Sequence, residues 1–541
     1  MLNKFKYQFK WAWGQAKPFK WSLLIYFLLE LVAIGCSLLF VIWSKHAIDY
    51  AISPEKGNVN QALFFTVFYI VLGLILRTLA SWINDRTKSK MLIHLQNVLI
   101  KNQMLSTWKV VKQWHTGDVL IRVNNDASDI VQMISSTFIG LLLTIIRLVA
   151  SFILLWSMDP MLAFLILAIS PLFLFSKLYY KQLRKINRNL KNAESNLGKT
   201  VQENLRFRVS LRALGLQGFR WQKIENNQTE IYNLKMNLLN FSTVSQGTLK
   251  LLVNAGFLLT FVWSVYKLQS NEISFGMMTA FLQLVGRIQT PLLAMLGFVP
   301  VFIRYRTSVE RLQELIDTEI EKEEEPEVIP APQELVIRDL SFKYEDSDVI
   351  EDFNLKVRVG EPTAIIGSSG KGKTTLIRLL LALIKPDKGT IHIKNAQGTI
   401  AINPKHRVNI AYVPQGDKLF SGTVRENIIT DSKELTDKKL TEVLYLSCAE
   451  FVHDLPQGLD TVIGESGFGL SEGQAQRIAL ARALMKDSSI WLFDEVTSAL
   501  DQQTSEKLIT RLLSKANDKL VIFVTHDLKL ADRCSQSVYM Q

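Results

Sequence analysis

The sequence predicts two folds in one chain: an α-helical membrane domain of six transmembrane helices with long intracellular hairpins, and behind it an α/β domain of the P-loop type. Three observations carry this. Six apolar runs long enough to cross a bilayer crowd the first 300 residues, and the two longest connections between them are rich in lysine and arginine. The third is "EPTAIIGSSGKGKTTLIRLLLAL" (361–383), which reads as buried strand, glycine loop and helix. At 541 residues the chain is too long for one core.

The first element, within 1–18, mixes aromatics and lysines in "FKYQFKWAWGQAKPFKW" and suits a helix lying in the headgroup region. The first apolar run is too long for a signal peptide and lacks a small-residue cleavage site. The runs lie near 19–42, 62–83, 137–158, 160–179, 243–266 and 273–300, inside a membrane domain of 19–316. An even number puts both chain ends on one side. The long, basic connections 84–136 and 180–242 assign that side to the cytoplasm.

These connections are themselves helical in pattern. "MLIHLQNVLIKNQML" and "NLGKTVQENLRFRVSLRALGLQ" repeat apolar residues every three or four positions. Folded as antiparallel pairs, they would reach roughly 35–40 Å beyond the bilayer. The net charge of +12 is concentrated here, as at "KLYYKQLRKINRNLKN", so it points to membrane topology and not to nucleic acid. Cys36, Cys448 and Cys534 match no metal or disulfide pattern. "DTEIEKEEEPEVIPAPQ" (317–333) is a charge run followed by spaced prolines, the composition of a linker, and the second domain is placed at 334–541.

"GSSGKGKT", Gly367 to Thr374, fits G-x-x-x-x-G-K-[ST] in the required strand-to-helix setting. The phosphate-binding candidates are Gly367, Ser368, Ser369, Gly370, Lys371, Gly372, Lys373, Thr374 and Thr375. Glycines let backbone N–H groups approach phosphate oxygens, Lys373 reaches the outer phosphates and Thr374 suits Mg²⁺. "SSIWLFDEVTSALD" is an apolar strand ending in two carboxylates, Asp494 for the metal's water shell and Glu495 as proton acceptor from an attacking water.

With these residues in place the chain resembles an ATP-binding cassette (ABC) transporter of the exporter type, in which six spans are fused to one cassette. The resemblance covers essentially the whole chain. "LSEGQ" (470–474) is similar to the family's signature loop, usually LSGGQ. Tyr344 in "LSFKY" matches the aromatic that stacks on adenine, Gln415 in "YVPQ" the Q-loop, Asp501 in "SALD" the D-loop and His526 in "VTHD" the switch histidine. "TGDVLIRVNND" (116–126) is similar to a stretch of exporter intracellular loops.

The resemblance implies ATP and Mg²⁺ as cofactors and Glu495, His526 and Gln415 as catalytic residues. It implies Thr374, Gln415 and Asp494 at the metal. It also implies two cassettes closed head to tail, each nucleotide lying between one chain's phosphate loop and the other chain's Ser471, Gly473 and Gln474. A chain with one cassette then works as a dimer, and since both halves of the site are intact a homodimer is favoured over a heterodimer. The expected activity is ATP hydrolysis driving export of an amphipathic substrate, a peptide, lipid or drug-like molecule, by alternating access. The expected location is the inner (plasma) membrane with the cassette in the cytoplasm. An ATP-gated or regulatory membrane protein, or an importer on an exporter-like fold, would carry the same motifs.

Two residues depart from the pattern: Glu472 replaces the first signature glycine, and Lys371 a small residue of the phosphate loop. The chain stops at "CSQSVYMQ", where the family usually continues, so C-terminal dimer contacts are not expected. With no domain before the first span, a peptide exporter carrying its own leader protease is not expected either. Ionisable residues inside the spans are Glu30, Arg77, Arg147, Arg287 and Lys250. The cationic excess suits a carboxylate- or phosphate-bearing cargo, and the competing reading is that Glu30 pairs with an arginine or that the arginines snorkel to the membrane edge.

Overall fold

The computed structural model describes residues 11–114, 116–169, 176–344, 347–368, 370–416, 419–429, 436–464 and 469–540. Within the 1–18 helix, residues 1–10 lie outside this set. So do 170–175 of the fourth run, Ser369 of the phosphate loop and Gly467 before the signature loop. The chain divides into two compact units. One holds residues 1–102 and 115–318, the other 103–114 and 319–541.

In the first unit the spans run on as helices far beyond bilayer length. Lys20–Ile52 has 33 residues, Val59–Met104 46, Gln217–Gln269 53 and Phe275–Ile316 42. At 1.5 Å per residue the last three are about 60–80 Å long, twice the hydrocarbon core or more, so spans and hairpin legs are continuous helices. Three stretches, Trp11–Ile52, Val59–Met104 and Gly117–Met158, are long and apolar enough to cross a membrane by length and composition. The runs at 243–266 and 273–300 lie inside Gln217–Gln269 and Phe275–Ile316, and the fourth begins with Pro160–Ile169.

The second hairpin pairs Ser176–Arg206 with Gln217–Gln269. Leu190, Ala193 and Ile231 form its apolar seam, and Arg220 clasps Glu203 at 2.6 Å. Where the short connections lie, Asp49 accepts from Ser274 Oγ and from the Gly276 N–H, both at 2.9 Å, joining the first and last span helices. The "TGDVLIRVNND" stretch is held by charge. Arg122, 7% exposed, meets Asp118 and Glu314 at 2.9 Å, and Arg311 meets Asp118 at 3.0 Å and Asp126 at 3.4 Å. Its helix widens to π-helical turns at Arg122–Asp126 and Met133–Phe138, a form that recurs at functional positions.

The second unit contains the cassette. Its strands are β1 (Glu334–Tyr344), β2 (Ser347–Arg358), β3 (Thr363–Ile366), β4 (Lys388–Asn395), β5 (Gly398–Ala401), β6 (Ile410–Val413), β7 (Gly422–Thr423), β8 (Val462–Ile463), β9 (Ile490–Asp494), β10 (Leu520–Thr525) and β11 (Gln536–Tyr539). An antiparallel sheet, β2-β1-β4-β5, stands apart from a parallel sheet, β11-β3-β10-β9-β6. Strands β3, β9 and β10 are buried along their whole length, as continuous apolar runs covered on both faces must be.

The period of two sorts their side chains. Ile490, Leu492, Leu520, Ile522 and Val524 enter one core with Leu376 and Ile377 of the helix Lys373–Leu380. Trp491, Phe493, Val521 and Phe523 enter the other with Ile478 and Leu480 of the helix Glu472–Met485, where the Phe493 and Phe523 rings meet at 5.4 Å. Because every strand of this sheet is parallel, all their carboxyl ends emerge along one edge. That edge is where a doubly covered sheet presents its ligand site.

Candidate nucleotide site

Three neighbouring strands deliver the chemistry. Strand β3 ends at Ile366 and runs into the phosphate loop, β9 ends on Asp494 with Glu495 directly after it, and β10 is followed by His526. Beyond the outer neighbour β6 comes Gln415.

The loop turns through left-handed glycines, Gly370 at φ +88° and Gly372 at φ +84°. A side chain on Gly372 would also put its Cβ 2.8 Å from the Val349 carbonyl. The Lys373 Nζ donates to the Gly367 carbonyl, folding the lysine back over the loop. Ser368, Lys371 and Thr374 are exposed and Thr375 is buried in the helix that follows.

Glu495 is the hub. Its Oε2 accepts from Gln415 Nε2 at 2.6 Å, its Oε1 lies 3.1 Å from His526 Nδ1, and Lys373 Nζ stands 3.8 Å away. Its backbone is left-handed, φ +51°, with the N–H bonded to Val524 O at 2.8 Å. A non-glycine residue held in that region costs of order 1–3 kcal/mol, a strain that the flanking strands must over-determine. Here it turns the carboxylate out of the sheet while Asp494, one residue earlier, stays 3% exposed in it.

Burial pushes the Asp494 carboxyl up to about 6, and the adjacent Glu495 adds to the push. A buried carboxylate strained by a like charge is relieved by a cation, and the exposed Thr374 hydroxyl opens the first turn of the phosphate-loop helix. These residues fit Mg²⁺.

The signature residues form a separate group in the same cassette. Ser471 caps the helix Glu472–Met485: its Oγ accepts from the Gln474 N–H at 3.2 Å, and Gln474 Oε1 accepts from the Ser471 N–H at 2.9 Å. Glu472 is exposed in the first turn, where the helix dipole favours a negative charge. Gly473 has no room for a side chain, since a Cβ would sit 2.6 Å from the Ala499 carbonyl. Asp501 caps the next helix by accepting from the Thr504 N–H at 2.9 Å, and these bonds hold its carboxyl below the ordinary range. No hydrogen bond among the described residues joins Ser471, Gly473 or Gln474 to the phosphate loop.

Two residues absent from the motif reading tie the site together. Gln476, 1% exposed, donates to the Glu495 carbonyl at 2.8 Å and accepts from the Ala499 N–H at 3.2 Å. It locks the signature helix to the strand end that carries the carboxylates. Its signal was a polar residue on the buried stripe of "GQAQRIALARALM". The second is Arg378, whose Nη1 donates to the Tyr344 hydroxyl at 2.9 Å.

A P-loop and two strand-end carboxylates at one sheet edge, with a serine-capped second loop elsewhere in the same domain, define an ATP-hydrolysing cassette. Family models agree along the chain: the ABC transporter transmembrane region matches residues 23–292 and the ABC transporter model 350–498. The chain belongs to the ABC transporter family. Among its relatives is the Bacillus subtilis protein YheI, "Probable multidrug resistance ABC transporter ATP-binding/permease protein", 28% identical over 79% of this chain and 74% of the relative. Another is the ATP-dependent lipid A-core flippase of Haemophilus influenzae, 25% identical over 98% of this chain and 91% of the relative. The fold matches a bacterial Atm1-family ABC exporter with ATP bound at a TM-score of 0.79 and 21% identity, covering 96% of this chain and 93% of that one. The protein is therefore an ATP hydrolase coupled to transport across a membrane, and its cassette is cytoplasmic.

Proposed function

We propose that the chain works as a homodimer of two six-span halves and exports an amphipathic substrate whose polar end carries phosphate or carboxylate. The observation that carries this reading is a cavity of about 510 Å³ among the span helices, lined by Arg77, Arg147 and Arg287 together with Phe40, Tyr69 and Leu74. The Arg147 Nη2 lies 3.8 Å from Glu30, and its buried Nε has no partner. Among the described residues no carboxylate pairs with Arg77 or Arg287. Three cations against one anion leave two positive charges in excess beside an apolar wall. Unpaired charges at membrane depth are costly, and an anionic head with an apolar tail would relieve them. Two relatives add support, since one is named a lipid A-core flippase and the other a multidrug resistance transporter.

In this reading Tyr344 stacks on adenine, while Lys373 and the backbone N–H groups from Gly370 to Thr375 hold the phosphates. Thr374, Gln415 and Asp494 hold Mg²⁺, which supplies charge neutralisation at the phosphates. Glu495 takes the proton of the attacking water, and His526 and Gln415 orient it. Ser471, Gly473 and Gln474 serve the partner's nucleotide, and Asp501 sits beside that interface.

The test is ATP hydrolysis by the full chain in lipid nanodiscs with phosphate-bearing, carboxylate-bearing and neutral amphiphiles of matched tail, beside transport in sealed vesicles. Anionic amphiphiles should stimulate hydrolysis and leave the cassette side, and Arg77→Ala with Arg287→Ala should remove the stimulation but not the basal rate. Stimulation by neutral amphiphiles alone overturns the charge assignment, and movement toward the cassette side overturns export. No turnover from a folded single species overturns the homodimer.

A further inference from the structure

The short helix Trp108–Gln113 is contributed by the connection after the second span, yet it belongs to the compact unit of the cassette. Backbone bonds strap it there: Thr107 N–H donates to Glu319 O at 3.1 Å and Glu321 N–H to Leu105 O at 2.7 Å. Trp108 and Lys112 are four residues apart and so share one face of this helix. Both meet the aromatic residue assigned to adenine or its partner. The Arg378 guanidinium lies over the Trp108 ring at 4.4 Å, and Lys112 Nζ lies over the Tyr344 ring at 5.0 Å. Arg378 then hydrogen-bonds the Tyr344 hydroxyl, and Phe342 meets the Tyr344 ring edge to face at 4.8 Å.

Tyr344 is thus fixed at its hydroxyl, at one edge and on one face. Arg378 is five positions after Lys373 on the phosphate-loop helix, so the helix that begins at the phosphates also carries the grip on the base platform. A planar guanidinium can stack on an indole and donate in its plane at once, which a lysine cannot do.

We propose that Arg378 and Trp108 are positioning residues for the nucleotide base: Trp108 orients Arg378, Arg378 orients Tyr344, and the segment between the second and third spans thereby sets how tightly the cassette takes a purine nucleotide. This rests on the reading that Tyr344 stacks on adenine.

The test measures hydrolysis by the full-length protein in nanodiscs, with inorganic tripolyphosphate as a competitive inhibitor that has phosphates and no base. Arg378→Ala and Trp108→Ala should each raise KM for ATP about three- to tenfold, the range of a lost charge-assisted bond or cation–π contact, with kcat within about twofold. The Ki of tripolyphosphate should not move. Trp108→Phe keeps a stacking face and should restore KM, whereas Arg378→Lys should not. Arg378→Ala placed on Tyr344→Phe should add little to either change alone, because both cut the same bond.

A rise of the tripolyphosphate Ki in step with KM overturns the proposal, since Arg378 would then act on the phosphate loop. So does an additive double variant. If Tyr344→Ala raises KM while Arg378→Ala and Trp108→Ala do not, this inference alone fails. If Tyr344→Ala leaves KM unchanged, the adenine assignment beneath it fails.

Discussion

Asp494→Asn should stabilise the metal-free protein at neutral pH even though it removes a proposed metal ligand. Asp494 is 3% exposed and next to Glu495, and its carboxyl is pushed up to about 6. A carboxyl whose folded value exceeds its unfolded value of 3.8 binds protons more tightly when folded. The stabilisation it gives is complete below the unfolded value and is lost as pH rises through the folded one. About two pH units at 1.4 kcal/mol each make the total roughly 3 kcal/mol, and about half of it falls between pH 5 and 7.5. Asparagine keeps the size and an acceptor for the Gln415 N–H but carries no charge. In EDTA, scanning calorimetry of the purified protein should therefore show the melting temperature of Asp494→Asn pulling ahead of wild type by a few degrees as pH rises from 5 to 7.5. Mg²⁺ should recover stability in wild type and not in the variant. An equal offset at both pH values refutes the titration argument, and a variant less stable throughout refutes the burial argument.

Three further outcomes follow from single side chains. Gln476→Ala orphans the Glu495 carbonyl and the Ala499 N–H, so it should cost about 1–3 kcal/mol per group in chemical denaturation and slow hydrolysis without changing KM for ATP. Gly473→Ala drives a Cβ against the Ala499 carbonyl, and should cut the hydrolysis rate at least about tenfold through a shift of the loop leading to Asp501, read in a steady-state assay. Arg122→Ala removes a buried guanidinium from half-exposed Asp118 and Glu314, with Asp118 keeping Arg311, and should cost the membrane unit about 1–3 kcal/mol in chemical denaturation, whereas Glu310→Ala, at a half-exposed pair, should cost less than about 1 kcal/mol.

Much of the candidate site's layout was legible because its motifs are contiguous. A strand, a glycine turn and a helix in sequence put Lys373 and Thr374 where the fold needs them, and a buried apolar run ending in Asp494 and Glu495 does the same for the carboxylates. The helical hairpins were legible from three- and four-residue spacing, which continues without a break from the spans into their legs. What escaped is long-range or conformational. Nothing local marks Trp108 as a partner of Arg378, 270 residues away, or assigns 103–114 to the cassette's unit. The left-handed backbone of Glu495 is imposed by its neighbours, not by its own preference. The charged cluster around Arg122 was visible only as a motif, because its partners Arg311 and Glu314 lie at the far end of another helix.

Why one domain carries two phosphate-type loops can be argued from the valence of a hydroxyl. Ser471 Oγ accepts the Gln474 N–H, and a serine hydroxyl has one proton to give and two lone pairs to receive with. Capping therefore uses an acceptor site and leaves the O–H free to donate. The N–H groups of the first turn point the same way along the helix Glu472–Met485, and the dipole adds partial positive charge at that end. Glu472 does not cancel this, because it is exposed to solvent in that turn and its charge is screened. Among the described residues of its own chain this second donor set makes no bond to the phosphate loop, whose Lys373 is already turned back on Gly367. A donor set left facing outward and a phosphate loop that needs another side are complementary halves. Two copies related by a twofold axis would satisfy both halves at once, the isologous closure on which the proposed homodimer rests.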